Sequence, residues 1–283
     1  MNFAFYTHFT GLTASRGIRA AAEYASSHGY ASVEVLESAS GNPPAIATVD
    51  EAKEAGRILG EYGLSVACYS VGATIYKNPR AVESLKRHAE LAAALGAPYL
   101  HHTLVGALRP LPELPDFDFM LPEVVGAACE AAEYAAGLGL VCLYEEQGAY
   151  FNGIERFGRF YNEMKRRCDN IGVCGDFGNS LFVDVIPSDF IKAFAGEIRH
   201  VHIKDYLRSD KPMSGWLPTV GGNYLLDCAA GDGAADCIGS LTALRAAGYD
   251  GCFAIEHEVG FPEPFEGCSI KSRKLIERLW NKA

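Results

Sequence analysis

Four short apolar runs in this 283-residue chain end in side chains able to hold a cation. VCLY is followed by Glu145 and Glu146, GVCG by Asp176 and CFAI by Glu256, while RHVHI carries His200 and His202 and runs on into Lys204, Asp205 and Arg208. Alternation along a strand puts His200 and His202 on one face and Val201 and Ile203 on the other. Taken singly, such a histidine is usually a core residue bonded to a backbone carbonyl, and such a carboxylate is usually a surface group. Carboxylates at the buried ends of apolar runs are costly unless paired or bound to a cation, so three of them facing one imidazole are explained most economically by one divalent metal ion. Whether Glu145 or Glu146 serves after VCLY is open at this point. Three carboxylates and one imidazole suit Mn2+ first, with Mg2+, Co2+ or Zn2+ as alternatives, and leave positions for water or substrate oxygens. A hydroxy-ketone chelated there would have its carbonyl polarised and its α-proton within reach of a carboxylate.

The elements that must position these groups follow a recurring phrase: a helical stretch, a glycine, then a short apolar run. It runs Ala14 to His28 then ASVEVLE, Val49 to Tyr62 then LSVACYS, Arg80 to Leu95 then APYLHHTL, and Pro122 to Ala136 then LVCLYE. It continues with Ile154 to Arg167 then IGVCGD, Ser188 to Ala195 then IRHVHI, and Ala235 to Ala247 then CFAIE; the opening NFAFYT and a last helix from Lys271 to Trp280 complete the set. The glycines mark helix carboxyl ends, and nearly continuous apolar runs read as parallel strands buried on both faces. Eight such units predict a single-domain α/β (β/α)8 TIM barrel over residues 1–283, with the site at the carboxyl ends of its strands. No G-x-G-x-x-G follows the first strand to support a dinucleotide-binding alternative. Ser209 to Asp232, rich in glycine and proline, is expected to be a long rim loop over the catalytic face.

Composition narrows the partners. A formal net charge of −10 argues against a nucleic-acid backbone as ligand, and a small molecule is the better expectation. No basic leader precedes an apolar core at the amino terminus, and no run approaches the ~18 apolar residues of a membrane span, so a cytoplasmic protein is expected. The nine cysteines form no C-x-x-C pair, and those inside apolar runs act as small hydrophobes.

The segments VCLYEE, GVCGDFGN, RHVHIKDYLR and GYDGCFAIE, in this order, resemble those of the sugar phosphate isomerase/epimerase family with a xylose isomerase-like barrel, which includes the ketose 3-epimerases. The resemblance spans the chain from first strand to last helix. It implies metal ligands Glu145, Asp176, His202 and Glu256, with Glu145 preferred over Glu146 by motif register. It also implies that Glu145 and Glu256 act as acid and base, and that Arg208, six residues after the histidine, holds substrate. Where family members commonly carry a histidine three residues after the aspartate, this chain has Asn179, which can donate a hydrogen bond but does not titrate near neutrality. The stretch between His202 and Glu256 is longer than in the simplest epimerases, which fits a different substrate size or contacts in a homo-oligomer. Endonuclease IV shares the barrel but needs further ligands, and no D-x-H follows the seventh strand here.

His101 and His102 end the fourth strand; alternation turns one of them into the site, and His102 is assigned to substrate. Lys204 and Asp205 are substrate contacts or a rim ion pair, worth ~0 to 1 kcal/mol if exposed. Glu34, Tyr6, His8 and Trp216 are pocket candidates by position, and His257 and Glu258 read as loop residues. The expected activity is a divalent-metal-dependent isomerase or epimerase of a ketose or related keto-sugar, working by proton transfer next to a carbonyl through an enediolate stabilised by the cation. A lyase or dehydratase on the same site, and a barrel that binds without turnover, are the alternatives.

Overall fold

The apolar runs do form strands, and the strands close on themselves. The structure, a computed structural model, describes residues 1–39, 45–257 and 265–282. In chain order the strands are β1 (Asn2–Phe5), β2 (Ser32–Ser38), β3 (Ser65–Gly72), β4 (Tyr99–His102), β5 (Val141–Glu145), β6 (Ile171–Asp176), β7 (Ile198–Ile203), then the short β8 (Asp205–Ser209), β9 (Leu217–Pro218) and β10 (Tyr224–Cys228), and finally β11 (Cys252–Ile255). Strands β1 to β7 and β11 make a parallel barrel in the order β1-β11-β7-β6-β5-β4-β3-β2. The expected (β/α)8 TIM barrel is therefore the fold, in one domain.

Around it lie α1 (Phe9–Arg16), α2 (Ile18–Ser27), α3 (Val49–Glu61), α4 (Pro79–Leu95), α5 (Phe117–Gly137), α6 (Ile154–Lys165), α7 (Pro187–Phe194), α8 (Cys237–Ala246) and α9 (Phe265–Trp280). Local chemistry sets several of their ends. Thr48 and Glu51 form a reciprocal capping box on α3, and Asn78 caps α4 with Pro79 in its first turn. Gly96 ends α4 in the left-handed region (φ 88°), its N–H reaching the carbonyls of Ala92 and Ala93. The first predicted helix is divided at Gly17, and α5 begins at Phe117 and carries Pro122 inside it, so Pro122 does not mark its start. No helix among the described residues is long and apolar enough to cross a membrane.

Strand alternation sorts the core into two parts. Outward residues such as Val35, Tyr69, Leu100, Tyr144, Val173 and Val201 pack with helix residues such as Leu59, Leu85, Phe157 and Ile191. Inward residues are small or slender lower in the barrel, among them Ala4, Ala67 and Ala254, with Cys68, Leu143 and Cys174. Two irregularities in register tune this. Between β2 and β3 the shift at Val33/Glu34 pairs Glu34 with Cys68, and between β6 and β7 the shift at Val173/Cys174 pairs Cys174 with His200 and Asp176 with His202. The second shift lets Ile198 pack outward while both histidines still face in.

The stretch expected to be a rim loop carries order of its own: β8, β10 and β9 form a three-stranded antiparallel sheet. One carboxylate docks it. Asp184, just past the 3-10 turn Asn179–Val183, accepts from Arg208 (3.1 Å) and Asn223 Nδ2 (2.7 Å) on Oδ1, and from Thr219 Oγ1 (3.2 Å) and Gly221 N (2.9 Å) on Oδ2. Asp184→Ala is expected to cost ~1 to 3 kcal/mol by stranding these donors. Its signature is faster amide exchange in residues 205–228 with the barrel strands still protected, and unchanged exchange there would show that the carboxylate is not what docks the sheet.

Candidate metal centre

At the carboxyl ends of β5, β6, β7 and β11, donor atoms of Glu145, Asp176, His202 and Glu256 all lie within 4.8 Å of one another. His202 Nδ1 is 2.7 Å from Glu145 Oε1 and 3.2 Å from Glu256 Oε2. Asp176 spends Oδ1 on the backbone N–H groups of Gly178 (2.7 Å) and Asn179 (2.5 Å), which leaves Oδ2 directed to the cluster. Among the described residues, Asp176 Oδ2 and Glu256 Oε2 are buried without a hydrogen bond, and Asn179 Nδ2 is in the same condition. Buried acceptors with no donor are costly, and a cation among them removes that cost. The donor set fits a divalent ion on this ground.

Below the cluster lies a floor of hydrogen bonds. Glu34, fully buried, accepts from Ser70 Oγ (2.5 Å) and His202 Nε2 (2.9 Å) on Oε1 and from His200 Nε2 (2.7 Å) on Oε2. With its Nε2–H given to Glu34, His202 turns Nδ1 toward the carboxylates, the carboxylate–histidine arrangement that orients metal-binding imidazoles. Burial alone would push Glu34 up, but His202 and His200 hold it well below the ordinary carboxylate range. Tyr6, at the end of β1, stacks on the His202 ring with centroids 4.8 Å apart.

The charge balance is lopsided. Glu34, Glu145, Glu146 and Asp176 are buried, and the Glu256 side chain is only 16% exposed. Set among them is Lys204, 1% exposed, with Nζ 2.7 Å from Glu256 Oε1 and 3.7 Å from Asp176 Oδ2. Gly178 makes room for it, since a Cβ there would lie 2.7 Å from Lys204 Cγ and 2.7 Å from Tyr206. Burial would lower the amine, yet Asp176 and Glu256 keep it charged. Burial pushes Asp176 up to about 8 against the pull of Lys204, whereas Glu256, closest to the amine, falls to about 2 despite its burial. Glu146 is driven well above its ordinary range by burial and then by Asp176 and Glu145. One oxygen of Glu146 accepts from Ser180 Oγ at 3.4 Å and the other is buried without a hydrogen bond among the described residues, beside the four-residue cluster.

A cleft of about 330 Å³ opens at the same end of the barrel, lined by Gly72, Thr74, Asn78, Thr103 and Gln147 among others, none of them a member of the cluster. The family model described as xylose isomerase-like TIM barrel matches residues 22–268. This chain belongs to the xylose isomerase-like TIM barrel family. Comparison with curated proteins gives no match. Among solved structures the chain is similar to L-ribulose 3-epimerase, with TM-score 0.75 and 16% identity over 100% of this chain and 95% of that one. It is similar to a xylose isomerase-like TIM barrel protein from Mycobacterium smegmatis in complex with magnesium, with TM-score 0.74 and 17% identity over 99% and 97%. A third is the probable 3-DHS dehydratase AsbF from Bacillus anthracis, with TM-score 0.73 and 12% identity over 98% and 99%. At these identities the likeness is one of fold.

Within this xylose isomerase-like barrel the structure gathers Glu145, Asp176, His202, Glu256, Lys204 and Asn179, and it places three expected residues elsewhere. His102 faces outward, edge-on to Tyr144 at 5.2 Å, and Tyr144 in turn bonds Ala128 of α5. It is His101 that points in, its ring edge-on to His202 at 5.2 Å and its Nε2 3.8 Å from Glu145 Oε2. Burial lowers His101 to about 4, so it is a neutral imidazole. Arg208 is exposed, with its guanidinium on Asp184 rather than on any of the converging groups. Asp205 is no ion-pair partner at the rim: its oxygens accept from the N–H groups of Tyr206 (2.8 Å), Gly231 (2.8 Å), Gly233 (2.9 Å) and Ala235 (2.9 Å), folding that loop around a single carboxylate. His257 likewise serves structure, 3.2 Å from Asp227 and bonded through its backbone to Thr7, and Glu258 lies outside the described residues. The role of Glu34 had a sequence signal in a glutamate inside ASVEVLE, a charge where only burial is expected.

Proposed function

We propose that this protein is a divalent-metal-dependent isomerase or epimerase of a ketose or related keto-sugar. The observation that carries the reading is the convergence of three carboxylates and the Nδ1 of His202 at the carboxyl ends of four barrel strands, with acceptor oxygens left over. Mainly oxygen donors favour a hard ion, Mn2+ or Mg2+, held by Glu145, Asp176, His202 and Glu256. When bound, such an ion supplies Lewis acidity toward a carbonyl oxygen and its neighbouring hydroxyl.

The chain's own groups do the remaining work. Glu145 keeps Oε2 outside the His202 contact, so it is placed to take a proton from the carbon next to the carbonyl. Glu256 has Oε1 on Lys204, which makes the Glu256–Lys204 pair, rather than a bare carboxylate, the source of the returning proton. Asn179 Nδ2 is free to donate to a substrate oxygen, and Arg208 could reach substrate only by leaving Asp184. The same Lys204 ammonium also favours a second reading. An acid beside the reacting carbon can protonate a leaving hydroxyl, so elimination of water by a dehydratase is the alternative.

Incubation of the Mn2+-loaded protein with a panel of ketoses in deuterated water separates these readings. Deuterium at the inverted or isomerised carbon is the expected result. Loss of water to an enone-type product supports the dehydratase instead. Turnover without exchange at an α-carbon, with internal return checked by substrate deuterated there, would rule out proton transfer by either route.

A further inference from the structure

The cleft beside the cluster lies past the ends of four adjacent strands. Ser38 closes β2, Gly72 closes β3, Thr103 follows β4 by one residue and Gln147 follows β5 by two. Its walls are stitched to one another. Ala39 N–H bonds Gly72 O (2.9 Å), Thr103 Oγ1 accepts from Ala73 N (2.7 Å) and donates to Ala73 O (2.6 Å), and Gly106 N–H reaches Thr74 Oγ1 (3.4 Å). Ala149 N–H bonds Ala107 O (2.8 Å), a seam that needs glycine at 148, where φ is 70° and a Cβ would lie 2.7 Å from Val105 O. Four loops are thereby held as one preformed surface, which spares a ligand the cost of ordering it.

The lining selects by charge. Among the described residues that form it, none is ionisable. The amino end of α4 does not stand in for a basic side chain, because Pro79 has no N–H and the N–H of Ala81 is held by Asn78 Oδ1 (3.2 Å). A phosphate or carboxylate entering the cleft would lose water and gain no counter-charge. Neutral hydrogen-bonding groups do remain. Thr103 and Asn78 spend theirs on the backbone, whereas the Gln147 amide bonds no described residue and the Thr74 hydroxyl, accepting from Gly106, keeps its hydrogen to give. An amide that both donates and accepts, beside a hydroxyl, matches the hydroxyls of a sugar. At about 330 Å³ the cleft is at the small end of ligand sites, which fits one ring rather than a chain of them. Gln147 is two residues past Glu145, and two residues of chain span at most ~7 Å, so a group linked to a unit chelated at the cluster reaches it.

We propose that this cleft is a second subsite, taking a neutral hydroxyl-bearing ring joined to the unit held at the metal centre, so that the substrate is a glycosylated keto-sugar and not a sugar phosphate. That the ring is part of the metal centre's substrate rests on the keto-sugar reading; that the cleft binds a neutral ring does not.

Gln147 is the only glutamine in the chain, so Mg2+-loaded protein labelled with nitrogen-15 in the glutamine side-chain amide gives one signal from the cleft itself. Methyl α-glucoside, which has no carbonyl to chelate, is expected to move that signal. A Cβ at Gly106 meets open space, so Gly106→Phe fills the cleft without displacing the wall and is expected to abolish the movement. Should that variant fail to fold, Thr74→Val keeps the shape, removes the hydroxyl and is expected to weaken binding about 3- to 10-fold. Calorimetry then compares three ketoses that differ only at one end: 6-O-glucosyl-fructose is expected to bind about tenfold tighter than fructose, by tethering, and to lose that advantage in Gly106→Phe. Fructose 6-phosphate is expected to gain nothing over fructose. A Gln147 signal that no neutral sugar moves overturns the proposal, as does tighter binding of the phosphate with movement of that signal. Equal affinity for fructose and its glucosyl derivative overturns the link to the metal centre. If neither ketose binds while methyl α-glucoside still moves the signal, the cleft stands and the keto-sugar reading falls.

Discussion

Purified His202→Ala protein is expected to lose its divalent cation almost completely, because the substitution removes the imidazole that bridges the carboxylate cluster and the Glu34 floor. Glu34→Gln should behave differently. It keeps the ligand but disturbs its orientation, and such outer partners are worth about 10- to 100-fold in affinity. Metal content by elemental analysis and Mn2+ affinity by calorimetry would rank the three proteins as wild type, Glu34→Gln, His202→Ala. Equal content in wild type and His202→Ala would sink the assignment. The same titrations carry a pH signature. Asp176 in the metal-free protein holds its proton up to about 8, so below that value an incoming ion must displace it. Apparent affinity should therefore climb steeply as pH rises from 6 toward 8, because Asp176 and the His202 imidazole, which burial would lower but Glu34 and Glu145 hold protonated beyond its ordinary range, both give up a proton to the ion. An affinity independent of pH between 6 and 8 would mean that Asp176 is ionised before the ion arrives.

Lys204→Met is the substitution expected to hurt the metal-free fold most. It leaves Asp176 and Glu256 buried with their cation gone, and breaking a buried pair by removing one partner typically costs about 3 to 5 kcal/mol. The loss should be greatest near pH 8. It should shrink toward pH 5, where the two carboxyls can take up protons and no longer need a counter-charge. Saturating Mn2+ should restore much of the stability, since the ion supplies positive charge to the same oxygens. Urea unfolding of chelator-treated and Mn2+-loaded protein at both pH values gives all four numbers. A difference below ~1 kcal/mol throughout would place Lys204 with exposed ion pairs.

Sequence carries the barrel because burial on both faces writes itself as uninterrupted apolar runs, and because helix ends there need glycine. It carries the four converging groups for a related reason, since a carboxylate closing such a run is conspicuous. What it conceals is parity and capture. β4 is four residues long and apart from Tyr99 and Leu100 is all histidine, so nothing in YLHH says which imidazole faces in; the pairing of Ser70 with His101 decides it. Arg208 is captured by Asp184, 24 positions away, and no local pattern announces that partner. The order within 209–232 is hidden similarly, because β9 is two residues long and β10 finds its register only against β8. The burial of Lys204 depends on the absence of a side chain at Gly178, a fact about a neighbouring strand's loop.

The pairing of β1 with β11, Asn2 with Cys252 through Phe5 with Ile255, joins residues some 250 positions apart. A ribosome must therefore release β11 before the ring can shut. Until then β1 and β11 each present an unsatisfied strand edge, the kind of surface that recruits other chains. Tyr6 reaches His202 only through that last seam, so its ring joins the site on closure, whereas the four converging groups sit on the adjacent strands β5, β6, β7 and β11. Non-local closure of this sort slows folding. Deleting β1 or β11 would be felt as insoluble protein well before it was felt as altered chemistry.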